Sequence, residues 1–266
     1  MDLLTCNVMN TLVIKFGGAS VSTPQHFSRI ADIVLQCKQN YSRVAVVVSA
    51  MGNTTDHLIS LAQTVNPKPP SREYDMLVSV GERISISLLA MALAAKGHQA
   101  VSFTGSQSGI ITCENHSNAK IIDVRPARLL PVLNRGSVAI IAGFQGVSCK
   151  GEITTLGRGG SDTSAVALGV ALGAEKVVFF KDVPGIFSTD PKKDPNASMF
   201  SQLTYAEALA IIEKGAKILH ARSVKLACKN EIPLNVVSFD DGVFGARMGT
   251  FVGSKNESRA TVPVYE

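Results

Sequence analysis

The sequence predicts an α/β protein, a three-layer α/β/α sandwich built on a mainly parallel central sheet. Short apolar runs alternate along the chain with longer segments whose apolar residues recur every three or four positions. Several runs, residues 44–48 most clearly, are continuously β-branched or alanine, the pattern of a strand covered on both faces. With 266 residues, 45% of them hydrophobic and 18% charged, the chain has ample interior for such a sandwich.

Residues 11–16 read as the first strand, ending at Gly17-Gly18. Ser22-Thr23-Pro24 then caps a helix with proline in its first turn, and Phe27, Ile30, Ala31, Val34 and Cys37 follow at helical spacing. After the strand at 44–48, a helix fits 55–64, and Asn66-Pro67-Lys68-Pro69-Pro70 breaks the chain. Residues 72–96 form a long helical region interrupted at Gly81-Glu82. Further strands are expected at 100–104, 138–142, 176–180 and 234–238, and helices at 126–133, 163–172 and 205–213. Residues 145–155, with Gly146 and Gly151, predict a hairpin. Beyond Thr250 the pattern fades into a surface tail.

A net charge of +5 suits small anions, but it is scattered, without the basic runs or aromatic-plus-basic stripes of a nucleic-acid binder. The five cysteines are widely spaced and form no C-x-x-C, so they read as reduced thiols of a cytosolic protein. Residues 1–10 lack the basic-then-apolar pattern of a signal peptide, and Met9 is an alternative start. No uninterrupted run of about eighteen apolar residues occurs, and 84–95 read as a core helix, so no membrane association is expected.

The most informative stretch is TTLGRGGSDTS, residues 154–164. Glycines let a backbone approach a ligand, a helix N-terminus offers unpaired N–H groups, and the Arg158 guanidinium suits a carboxylate or phosphate. Asp162 adds a carboxylate as the loop enters the helix; the alternative is a surface turn. Lys15-Phe16-Gly17-Gly18 at a strand end can bind phosphate, although a plain tight turn with a surface lysine has the same residues. It is not a Walker A loop, because its lysine precedes the glycines. Residues 49–55 offer hydroxyls that also serve as ordinary caps. Glu82, an acid in an apolar helical stretch, either binds an ammonium or pairs with a surface cation such as Arg83. Lys181-Asp182 stands at a strand's carboxyl end, where ligands bind in open α/β sheets. Lys217 lies past a helix end, and His220 reads as a packed or capping residue.

Taken in order, KFGGASV, VVSAMGNTTDHL, SVGERIS, FTGSQSGI, AGFQG, TTLGRGGSDTSAVALG, KDVPGIFSTDPK and GAKILHARSV resemble the aspartokinases of the amino-acid kinase superfamily, over residues 11–252. The resemblance implies phosphoryl transfer from MgATP to the side-chain carboxylate of L-aspartate, opening the route to lysine, threonine and methionine. It places Lys15, Phe16, Gly17 and Gly18 at the transferring phosphoryl, with Asp162 orienting Lys15. Thr55, Glu82, Arg158 and Ser161, with Gly159 and Gly160, would hold aspartate, Glu82 taking its ammonium and Arg158 a carboxylate. Lys181, Asp182, Phe187, Lys192, Lys217 and Ile218 fall on the nucleotide side. The metal would be Mg²⁺ carried by the phosphates, without a protein cage.

The same resemblance divides the chain into an extension (1–10), an acceptor half (11–174), a nucleotide half (175–252) and a tail (253–266). The family's C-terminal ACT domains are missing, through truncation or in a natural short form, so feedback inhibition by lysine or threonine is not expected. A homo-oligomer is in keeping with the family. Ala19 and Lys181 stand where the family commonly has threonine, and Phe187 where it has tyrosine. Two other readings stay open: a related kinase with a different acid acceptor, and a catalytically weak small-molecule-binding partner subunit.

Overall fold

The computed structural model describes residues 10–191, 193–216, 218–240, 249–254 and 262–266. The chain runs through β1 (Thr11–Phe16), α1 (His26–Asn40), β2 (Arg43–Val48), α2 (Thr54–Val65), α3 (Ser71–Val78), α4 (Val80–Ala95), β3 (Ala100–Phe103), β4 (Ile110–Thr112) and β5 (Ile121–Val124). Next come α5 (Leu129–Asn134), β6 (Val138–Ala142), β7 (Gln145–Ser148), β8 (Ile153–Thr155), α6 (Gly160–Ala171) and β9 (Lys176–Lys181). Then follow β10 (Gln202–Leu203), α7 (Tyr205–Glu213), α8 (Ala221–Asn230), β11 (Leu234–Ser238) and β12 (Thr250–Val252).

The main sheet has eight strands in the order β10-β12-β11-β9-β1-β2-β6-β3. From β11 to β3 every pairing is parallel, and β12 turns antiparallel to β11. Chain order reverses at β1, whose neighbours are β2 on one side and β9 on the other. A second, four-stranded sheet, β5-β4-β7-β8, contains the expected hairpin as β7–β8.

Alternation along the buried strands sorts side chains between two cores. Val13, Ala45, Val47, Ile141, Val177 and Phe179 face the layer containing α5, α6, α7 and α8. Leu12, Ile14, Phe16, Val46, Ile140 and Phe180 face α1 and α4. This is the three-layer sandwich the sequence predicts. The parity also directs function: Lys15 follows Val13, and Lys181 follows Phe179, to the α6 side.

Several boundaries moved. The helical region at 72–96 breaks at Ser79, not at Gly81-Glu82. Gly81 sits inside α4 because α4 crowds the end of β2 there: a Cβ on it would lie 2.7 Å from the Cβ of Ala50. The stretch Ser71–Ala95 is long and apolar enough to cross a membrane by length and composition. Its Ile86, Leu89 and Leu93, however, are packed into the core. Helix α6 starts at Gly160, three residues before the expected 163, so Ser161 and Asp162 belong to its first turn. Strands β4, β5, β10 and β12 and helix α8 were not foreseen, being short or weakly patterned.

The expected surface tail is docked at its end. Asn230 exchanges hydrogen bonds with Val264, and the Glu266 N–H donates to the Ile121 carbonyl at 3.0 Å. The Glu266 carboxylate is held by Arg222, a partly buried pair that the loss of periodicity after Thr250 gave no way to foresee.

Candidate active site

A cleft of about 790 Å³ opens at the carboxyl ends of β1 and β2, where the N-termini of α4 and α6 meet. Lys15 and Gly18 line it from the β1 turn, and Ser49, Ala50, Gly52 and Thr55 from the end of β2 and the start of α2. Glu82 enters from α4; Arg158, Gly159, Gly160, Ser161 and Asp162 come from the loop into α6. Open parallel sheets bind ligands at this edge and near the strand where chain order reverses, here β1.

At its floor, the Lys15 Nζ lies 2.7 Å from Asp162 Oδ1 and the Lys181 Nζ 3.3 Å from Asp162 Oδ2. All three side chains are largely buried. Burial works against an ionised Asp162, but the two ammoniums outweigh it and hold the carboxyl below its ordinary range. Placement in the first turn of α6 adds the favourable end of the helix dipole. Burial and then repulsion from Lys15 push Lys181 down to about 8, with Asp162 offsetting part of the effect. Two cations around one carboxylate leave net positive charge at the floor, which an incoming phosphate can neutralise.

Glu82 is 3% exposed. Its Oε1 accepts the Ala50 N–H at 3.0 Å, while its Oε2 has no hydrogen-bond partner among the described residues. Burial pushes its carboxyl up to about 8 despite the Ala50 bond and the charge of Lys15. A buried carboxyl oxygen without a partner, on a residue that lines the cleft, is a candidate acceptor for a cationic ligand group. Arg158, by contrast, is exposed. With Asp162 already committed to the lysines, its guanidinium has no ion-pair partner among the described residues and stands where it can receive a carboxylate.

The loop carrying Arg158 is shaped by backbone constraint. Gly157 and Gly159 both have φ of +72°. A Cβ on Gly159 would fall 2.1 Å from Cγ of His220, so the ring of His220 occupies the space glycine leaves. His220 also caps α8, its Nδ1 accepting the Arg222 N–H. The packed-or-capping reading of that histidine is what the structure shows. Opposite, Phe144 lines the cleft with φ of +69°, a costly conformation for an aromatic residue, its N–H bonded to Ser164 Oγ at 3.1 Å.

The structure thus gathers Lys15, Gly18, Thr55, Glu82, Arg158, Gly159, Gly160, Ser161 and Asp162 at one cleft, with Lys181 joined through Asp162. Phe16 does not line the cleft: by strand parity its ring points into the other core, stacked on Phe180 at 4.7 Å. Gly17 stands beside the Lys15 ammonium, where a Cβ would come within 3.4 Å of it. Asp182 and Phe187 follow on the loop after β9 and do not line the cleft; Phe187 forms a bridge with Met199. Ile218 packs against the α6-side core. Lys192 and Lys217 lie outside the described residues. Tyr74, Ser117 and Phe144 line the cleft without having been singled out. For Phe144 the flanking glycines Gly143 and Gly146 were the available signal.

Among the described residues no group of three or more His, Cys, Asp or Glu side chains is placed to hold a metal ion. The floor instead fits a phosphate, through its two ammoniums and the glycine turn.

Sheet order, cleft position and lysine–aspartate floor belong together in one class of phosphotransferase. The chain belongs to the amino acid kinase family, whose profile matches residues 10–238. Within that family it is similar to aspartokinases. It is 49% identical to the aspartokinase of Geobacillus stearothermophilus over 230 residues, 86% of this chain and 56% of that protein. The aspartate kinase structure from Synechocystis superposes with a TM-score of 0.82 at 43% identity, covering 95% of this chain and 41% of that one. E. coli aspartokinase III in complex with aspartate and ADP gives 0.83 at 31% identity, covering 93% and 65%. The chain therefore spans a little over half the length of the curated relatives it matches.

Proposed function

We propose that this chain carries the catalytic site of an aspartate kinase, moving the γ-phosphoryl group of MgATP to the β-carboxylate of L-aspartate to give 4-phospho-L-aspartate. The observation that carries the reading is Asp162 pinned between Lys15 and Lys181 in the same cleft as Glu82, with its buried unpartnered oxygen, and the exposed Arg158. Similarity to an aspartokinase that binds aspartate and ADP supports it.

The acceptor carboxylate is ionised at neutral pH, so the site needs no general base. Its task is to bring two anions together and to neutralise charge on the moving phosphoryl. Lys15 and Lys181 supply positive charge that Asp162 keeps aimed and only half compensates. The N–H groups of the Gly17-Gly18 turn and the N-terminus of α6 add fixed donors. Glu82 takes the aspartate ammonium, and Arg158 takes a carboxylate in a paired geometry that lysine could not match. Thr55 and Ser161 contribute hydroxyls at the cleft wall. Magnesium would enter with the nucleotide, carried by its phosphates.

The acceptor side is then drawn from residues 11–174 and the nucleotide side from 175–252, the halves meeting where β1 pairs with β9. We place the enzyme at the first step toward lysine, threonine and methionine, in the reducing cytoplasm that its free thiols suit. Assembly into a homo-oligomer belongs to the same proposal and is read by light scattering.

The test is ADP release with L-aspartate, glutamate, acetylglutamate and UMP as acceptors, with hydroxylamine trapping the acyl phosphate formed from a carboxylate acceptor. Hydroxylamine trapping with aspartate alone is expected. Turnover with another acceptor and none with aspartate would replace the substrate, and nucleotide binding without turnover on any acceptor would make the chain a binding subunit.

A further inference from the structure

Asp75, in α3, is fully buried and is not one of the residues that touch the cleft, yet it gathers more donors than any residue of the floor. Its Oδ2 accepts the backbone N–H of Thr155 at 3.0 Å and that of Ser117 at 3.0 Å, and lies 2.8 Å from Nδ1 of His116. Its Oδ1 accepts the Thr155 hydroxyl at 2.6 Å and the Ser117 hydroxyl at 3.4 Å. These donors come from two separate segments, the turn before β5 and the end of β8. The Ala119 N–H joins the same segments by donating to the Thr155 carbonyl at 2.9 Å.

A carboxylate taken wholly out of water is retained only where its partners compensate it. Here the partners are the wall of the cleft. Ser117 and Thr155 both line it, and the Arg158 loop starts two residues beyond Thr155. Ser117 sits at φ +65°, a conformation that its two bonds to Asp75 help to hold. Gly157 packs directly on that turn: a Cβ on it would lie 3.0 Å from the Ser117 carbonyl oxygen.

We infer that Asp75 is a positioning residue for the acceptor, acting through Ser117 and Thr155 to fix the root of the loop that presents Arg158 and Ser161. The inference rests on the proposal that this loop holds the acceptor. It predicts a selective defect, because the Lys15–Asp162–Lys181 floor makes no contact with Asp75.

The decisive variant is Asp75→Asn, which keeps the shape but turns an amide NH₂ toward donors that need an acceptor. Expected in steady-state assays is a rise of tenfold or more in KM for aspartate, with KM for MgATP and kcat within threefold of wild type. Calorimetric ADP affinity should be unchanged. Amide hydrogen exchange without ligands should accelerate at residues 115–119 and 153–158 and stay as in wild type along β1 and α6. An unaltered aspartate KM in the folded variant, or equal rises in both KM values, overturns the inference. If Asp75→Asn does not fold, Thr155→Val removes the 2.6 Å hydroxyl bond alone and should raise aspartate KM several-fold; no rise overturns the inference. If the wild-type chain releases no ADP with aspartate, the functional proposal fails by itself. The exchange experiment then decides, and unchanged exchange in both segments overturns the positioning role.

Discussion

Replacing Glu82 with glutamine separates what this side chain does for binding from what it costs the fold. Burial holds its carboxyl at about 8, against an ordinary value of 4.5. Between those values the folded chain keeps a proton that the unfolded chain releases. Stability therefore falls as pH rises from the unfolded value and levels off above the folded one. At about 1.36 kcal/mol for each pH unit, the loss by pH 7 is roughly 3 kcal/mol. Glutamine has no proton to lose. The advantage of Glu82→Gln over wild type should thus grow by about 3 kcal/mol between pH 4.5 and 7, or roughly 5–10 °C in Tm for a chain of this size. Thermal unfolding followed by circular dichroism from pH 5 to 9 measures it. Over the same range aspartate KM of the wild type should fall as Glu82 ionises, while in Glu82→Gln it should sit about 10- to 100-fold higher, the worth of a hydrogen bond to a charged group. A Tm difference that stays constant with pH would refute the reasoning about burial. An unchanged aspartate KM would refute the ammonium role.

Four other outcomes are expected. Lys15→Ala should lower kcat by about 10²-fold or more, the usual loss on removing a preorganised charge-stabilising donor, without unfolding the protein, and near-normal turnover would sink its assignment. Arg158→Ala should raise aspartate KM by roughly 10- to 100-fold with Tm unmoved, because the side chain is exposed; equal effects on both substrates would count against it. Lys181 loses its charge as pH rises through about 8, so wild-type kcat should decline above that pH, and Lys181→Thr should lack this alkaline limb when pH profiles are compared. Gly159→Ala drives a Cβ into the ring of His220 at a φ that disfavours side chains, and should cost about 1–3 kcal/mol in urea unfolding. Adding His220→Ala should relieve only the clash.

Some of the site was legible in the residues because it is written locally. Gly17-Gly18 after a buried run marks a strand tip, and the glycines around Arg158 leave an arginine with little to pack on. The start of α6 was misplaced because Gly160, Ser161 and Asp162 are poor helix formers by propensity; burial of the whole helix overrides that preference. Glu82 was ambiguous between a ligand and a surface cation such as Arg83, and its burial is at odds with a surface pair. Asp75 gave no signal at all, since its partners Ser117 and Thr155 are distant in sequence. Asp182 and Phe187 fall beyond the end of β9, on the loop that follows it, and do not line the cleft.

By itself, the sequence determined the layered, mainly parallel sheet and where its principal strands and helices run. A period of two in buried strands is a local property, so Lys15 and Phe16 must point to opposite faces of β1 wherever that strand lies. Only the tertiary structure decided that β9 lies next to β1, that Asp162 comes between two lysines from different strands, and that one oxygen of Glu82 is buried without a partner among the described residues. Those facts depend on which strand tips become neighbours, and that is set by non-local pairing and by the shared burial of helices far apart along the chain.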